Sequence, residues 1–107
     1  MDWVRSQIAE RLGFSPYPGT LNLKVPEGER DKLRALDHGG SWIEPAEGFR
    51  RGRVFKALIM GMIQGGVVRP EVAGYPEDLI EVLAPLPLRE ALGLKDGDEV
   101  EVEVWLE

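Results

Sequence analysis

The chain contains no cysteine and one histidine, His38. The first absence excludes disulfides, a thiol nucleophile and thiolate metal sites. A single histidine excludes a multi-His metal cluster built within one chain, and His38, in a Gly-rich loop, reads as solvated. No apolar run approaches the roughly 20 residues of a membrane span. Met1-Asp2-Trp3-Val4-Arg5 has none of the apolar core of a signal peptide, so a cytoplasmic location and no membrane partner are expected. Bases are missing from one stretch: Asp96, Asp98, Glu99, Glu101, Glu103 and Glu107 close the chain with no Lys or Arg among them, whereas the 95 residues before them carry 13 acids and 13 bases. The net charge of -6 is therefore local. A nucleic-acid partner is not expected, since a basic stripe is its usual footprint. The one basic cluster, Arg50, Arg51, Arg53 and Lys56, reads as a solvated loop and strand start. Ser6, Ser15 and Ser41 lack a nucleophile-elbow context, and Gly65-Gly66 has neither a Walker nor a dinucleotide pattern around it.

What is present suits one modest core. The 107 residues, 43% hydrophobic and 30% charged, fit a single globular domain over 1–107. Asp2 is placed to cap a helix over Trp3–Leu12, with Val4, Ile8 and Leu12 on one face and Gly13 as its stop. Glu29–Leu36 reads as a short helix with Leu33 and Leu36 inward, and Asp37–Gly52 as a loop holding a small packed or paired piece at Trp42-Ile43. Val54–Ile63 reads as a strand, Gln64-Gly65-Gly66 as a turn, and Val67-Val68-Arg69 as the return strand of a hairpin. Leu79–Ala84 reads as a strand. Pro85-Leu86-Pro87 leads into a short helix over Leu88–Leu92 that stops at Gly93. The last strand alternates acids with Val100, Val102, Val104 and Leu106, a half-buried strand with a charged face. Many short strands with a few short helices predict a mostly β fold, a small barrel or a compact α+β domain.

The densest signal is Phe14-Ser15-Pro16-Tyr17-Pro18-Gly19-Thr20-Leu21-Asn22-Leu23. Two prolines and a glycine fix a stiff turn, and Thr20–Val25 then alternates with period two. Leu21, Leu23 and Val25 share one face; Thr20, Asn22 and Lys24 share the other. Two neutral oxygen-bearing side chains thus stand together after a rigid turn. Either they form a half-site for a hard cation or a phosphate, or they are a polar strand face turned to water. In Leu79-Ile80-Glu81-Val82-Leu83, Glu81 shares its face with two leucines, and a carboxylate so placed needs a partner. The alternative is a solvent-facing glutamate on an edge strand.

"GFSPYPGTLNLKV" resembles the signature of the CTP-dependent riboflavin kinases, and "GYPEDLIEVLAPLPLREALGLKDGDEVEVEV" resembles that family's carboxyl-terminal half. The resemblance implies a six-stranded cradle-loop barrel that transfers the terminal phosphate of CTP to the 5′-hydroxyl of riboflavin, giving FMN and CDP. It implies that Thr20 and Asn22 hold Mg2+, and that Glu81 contacts the flavin's polar chain and is the candidate base. It further implies that Leu86, Pro87, Leu88 and Arg89 bind the nucleotide. A family threonine that touches the flavin falls near Ala73, and Tyr75 beside it is the candidate replacement. Trp42, Phe49 and Tyr75 are candidates to border a flat ring, or else packing residues. The family also has an upstream strand and a loop of the form G-x-G-x-G that the chain as given does not carry. The expectation is accordingly a barrel incomplete at its N-terminus. A second expectation follows from that: a non-catalytic flavin- or nucleotide-binding barrel. The expected partners are riboflavin or FMN and CTP or CDP, with the chain a monomer or a homo-oligomer.

Overall fold

The computed structural model describes residues 2–43, 52–71 and 73–106, with side chains from Ser6 onward. Phe49, Arg50 and Arg51, and with the two arginines half of the basic cluster, lie outside the described residues.

A helix, α1 (Asp2–Leu12), opens the chain. It ends where expected: Gly13 takes φ +83, which an L side chain resists, and its N–H donates to the Ala9 carbonyl at 2.8 Å. Among the described residues six strands follow: β1 (Leu21–Lys24), β2 (Ser41–Ile43), β3 (Gly52–Ile59), β4 (Ile63–Pro70), β5 (Leu79–Leu83) and β6 (Val102–Val104). A 3-10 helix (Glu27–Asp37) lies between β1 and β2, and α2 (Leu88–Ala91) follows β5. The strands pair antiparallel in the order β1-β5-β4-β3-β2, and β6 pairs with β3 as well. β2 takes the Gly52–Val54 end of β3, and β6 takes the Ala57–Ile59 end. The fold is mostly β, a curled antiparallel half-barrel with short helices.

The registers sort residues onto two faces. Leu21, Val82, Val67 and Phe55 lie in a row across β1, β5, β4 and β3. They form the main core with Ile59, Ile80 and Ala84, closed by Leu33 and Leu36 of the 3-10 helix and Leu88 of α2. The neighbouring row on the opposite face is Asn22, Glu81, Val68 and Val54. There Ile8 and Leu12 of α1 cover Ile43, Val54 and Leu83. One sheet thus carries a core on each face.

Two expectations are corrected. Gly65 and Gly66 are not a turn; they lie inside β4, and the hairpin turns at Met60-Gly61-Met62, where Met60 has φ 53 and Gly61 φ 66. The glycines answer a different demand, close approach. A Cβ on Gly65 would run into the Leu83 carbonyl oxygen, and one on Gly66 would stand 2.5 Å from Leu12 Cδ1. At the other end, Leu106 does not continue the inward alternation. It is 45% exposed, and its carbonyl accepts the Gly40 N–H at 3.2 Å, so the chain leaves β3 after Trp105, whose N–H donates to the Lys56 carbonyl at 2.9 Å.

Candidate functional site

The signature turn is anchored by its backbone. The Tyr17 N–H donates to the Ala84 carbonyl at 2.8 Å, and Gly19 takes φ +96, a conformation that favours glycine. This pins the turn to the end of β5, so the residues on either side of it face one another. A cleft of about 300 Å³ results, lined on one side by Tyr17, Gly19, Thr20 and Asn22, and on the other by Leu86 to Arg89. The residues expected to hold a cation and those expected to hold a nucleotide therefore line one space, although more than 60 positions separate Thr20 from Leu86 in the sequence.

Asn22 and Glu81 are direct cross-strand partners. The Thr20 hydroxyl stands 3.2 Å from Asn22 Oδ1 and 3.3 Å from Glu81 Oε1, within donating distance of either. One hydroxyl has one proton, so the two acceptor oxygens share a single donor. The other carboxylate oxygen is better served: the Tyr75 hydroxyl donates to Glu81 Oε2 at 2.8 Å. Burial first, then the hydrogen bond to Glu81 and its charge, push the Tyr75 phenol above its ordinary value of 10.0, while Arg69 pulls the other way. The sequence pattern placed Glu81 among aliphatic neighbours. The structure shows it half-buried, beside Val68 and on the face of Leu83, with two hydroxyl donors as its partners.

The remaining candidates divide. Arg89 borders the cleft, and its guanidinium is 3.2 Å from Asp96, an exposed pair of the kind that contributes little and opens readily. Trp42 lies elsewhere. Arg53 stacks on it at 4.0 Å, and both line a second cleft of about 250 Å³ with Asp37, Arg69 and Glu71. Ala73 is exposed, and Tyr75 is the residue of its loop that reaches the carboxylate.

Sequence reasoning passed over Arg69. It lies 5.9 Å from the Tyr75 ring and donates to the Leu79 carbonyl at 3.0 Å. No local pattern marks it, since its contacts run to a loop and a strand end brought close only by the fold.

The oxygens of Thr20, Asn22 and Glu81 suit a hard cation, which prefers oxygen ligands and keeps several waters. Among the described residues no group of three or more His, Cys, Asp or Glu side chains could hold a metal ion. Among the described residues no helix is long and apolar enough to cross a membrane.

Residues 1–104 match the family CTP-dep_RFKase, described as a domain of unknown function, DUF120. The chain is 46% identical over 111 residues to a riboflavin kinase of Archaeoglobus fulgidus, covering 99% of this chain and 47% of that protein. It is 44% identical over 113 residues to a riboflavin kinase of Pyrobaculum arsenaticum (99% of this chain, 52% of the relative), and 40% identical over 106 residues to one of Methanocella arvoryzae (95% and 47%). The chain spans about half the length of these relatives.

Proposed function

From the premise that this chain belongs to the CTP-dependent riboflavin kinase family, we propose that it moves the terminal phosphate of CTP to the 5′-hydroxyl of riboflavin. A phosphorus–oxygen bond to the hydroxyl oxygen forms, the bond to the CDP leaving group breaks, and the hydroxyl proton is released. The observation that carries this reading is the chain of oxygens from Asn22 through Thr20 to Glu81, set at the edge of a cleft whose far wall is Leu86–Arg89.

Leu86 to Arg89 take the nucleotide, so that its phosphates point along the cleft to Thr20 and Asn22. Those two side chains hold Mg2+, which supplies neutralisation of phosphate charge when bound. Glu81 orients the acceptor by taking a hydrogen bond from a hydroxyl of the ribityl chain, with Tyr75 beside it as a second flavin contact. Phosphoryl transfer depends on positioning and charge more than on a strong base, so Glu81 works chiefly as a locator. Two neutral ligands bind Mg2+ poorly on their own. Metal binding is accordingly weak without nucleotide and far tighter with it.

The test is to mix the chain with riboflavin, Mg2+ and either CTP or ATP and to separate the flavins. FMN with CTP and none with ATP is expected, and Thr20→Ala combined with Asn22→Ala is expected to be inactive while still folded. Flavin and nucleotide binding without FMN from either donor would instead make this chain a non-catalytic binding barrel.

A further inference from the structure

We infer that Arg69 is a positioning residue for the flavin side of the site, acting through Tyr75 and the loop that carries it. The inference rests on the kinase reading above and adds a residue that neither the signature nor the cleft includes.

Arg69 is an unexpected residue at its position. It stands directly opposite Arg53 in the β3–β4 register, and like charges facing each other across strands destabilise a sheet. The two guanidiniums part: Arg53 turns to Trp42 and to the Gly39 carbonyl, 2.8 Å away, and Arg69 turns to the β4–β5 loop. Sheet stability alone would favour a neutral residue there.

What Arg69 does follows from where the ladder stops. β4 and β5 pair Gly66 with Leu83, Val67 with Val82 and Val68 with Glu81. Continued by two steps, this register would bring Pro70 opposite Leu79, and proline has no N–H to offer. The Leu79 carbonyl takes the Arg69 guanidinium instead, at 3.0 Å. The same guanidinium lies 5.9 Å from the Tyr75 ring, within cation–π range, and 3.6 Å from Asp37 at the end of the 3-10 helix. Arg69 is thus one clasp with three holds: the first residue of β5, the ring in the middle of the loop, and the helix behind it. Its side chain is only 16% exposed, so the contacts are better shielded than those of a surface pair. Glu81 sits two residues beyond Leu79, and Tyr75 reaches its Oε2 at 2.8 Å. Arg69 thus contacts the donor of that hydrogen bond, Tyr75, and the strand end two residues before its acceptor, Glu81.

The test combines two readouts on the full chain. Tyr17 and Tyr75 are its two tyrosines, so carbon-13 tyrosine labelling gives two ring signals, assigned with Tyr75→Phe. In Arg69→Met the Tyr75 signal is expected to shift and broaden while that of Tyr17 holds. The riboflavin KM is expected to rise roughly tenfold, the worth of one charge-assisted hydrogen bond, with the CTP KM unchanged. Arg69→Lys keeps the charge and is expected to recover part of both effects. If Arg69→Met folds with the Tyr75 signal and the riboflavin KM unchanged, the inference is wrong; equal rises in both KM values would reduce Arg69 to a general structural role and also overturn it. Should the wild-type chain make no FMN, the kinase reading fails. The clasp is then judged by the tyrosine signals alone, an unchanged Tyr75 signal overturning it.

Discussion

At the scale of single residues, the site is a matter of counting donors. Thr20 offers one proton to two acceptors, and Tyr75 offers one to Glu81. Tyr75→Phe removes the donor to Oε2 and frees that oxygen for water or for a substrate hydroxyl. Since the phenol is raised by burial and by Glu81, it stays protonated above the usual tyrosine range. Stability from keeping it protonated is fully present below about pH 10, the unfolded value, and is lost only as pH rises through the higher folded-state value. An alkaline absorbance titration is expected to show one phenolate step above the ordinary range, and Tyr75→Phe to lack it. A late step that survives in Tyr75→Phe would sink this account. Glu81→Gln keeps the shape but halves the acceptors. It is expected to raise the riboflavin KM by about tenfold or more, seen in steady-state assays, and to leave the fold intact by circular dichroism.

At the scale of elements, β4 is where sequence and structure part, and the reason is physical. A Gly-Gly pair between apolar runs reads as a turn because glycine's freedom is most often spent there. Here it is spent on proximity. Gly65 passes beneath the Leu83 carbonyl and Gly66 beneath Leu12 of α1, contacts between segments far apart in sequence that no local pattern encodes. Gly65→Ala must move backbone, whereas Gly66→Ala meets the ends of a leucine side chain first, with the Phe55 carbonyl oxygen at 3.1 Å behind it. Overpacking of this kind costs about 1–3 kcal/mol. Gly65→Ala should lie at the upper end and Gly66→Ala below it, measured as the shift in a urea midpoint; the reverse order would count against the geometry. By contrast, α1, β1, the helix carrying Leu33 and Leu36, and β5 were all legible, because each is set by a period and a nearby stop: Gly13 after Leu12, Pro16 to Gly19 before Thr20. The site was legible in part for the same reason. Asn22 and Glu81 belong to alternating strands and Thr20 directly precedes β1, so their faces follow from parity. Their contact does not, because it depends on the β1–β5 register. Arg69 was invisible because its contacts, to the Tyr75 ring, the Leu79 carbonyl and Asp37, follow no strand or helix period.

At the scale of the molecule, the candidate site and the cores share one frame. β5 carries Val82 into the main core and Leu83 into the core under α1, with Glu81 on the same face as Leu83. The signature turn hangs from Ala84 through Tyr17, while Val25 and Asp78 join at the opposite end of β1 through a 2.6 Å backbone hydrogen bond. A ligand that bridges Thr20, Asn22 and Glu81 therefore ties β1 to β5, and through β5 both cores, rather than stiffening one loop. Ligands that bind only the folded state raise stability by mass action, about 2.7 kcal/mol at a hundredfold excess over Kd. On this architecture that gain reaches the whole sheet. Thermal unfolding of the chain is expected to be a single transition that moves upward with riboflavin and Mg–CTP together by more than the sum of either alone, because Thr20 lies between Glu81, on the proposed flavin side, and Asn22, on the proposed metal side. Thr20→Val keeps the shape, removes the shared hydroxyl, and should reduce the joint shift to the sum of the separate ones. Two transitions, of which only one responds to ligand, would show that α1 and its core unfold apart from the site. Strictly additive shifts in the wild-type chain would mean that the flavin and metal sides do not communicate through Thr20.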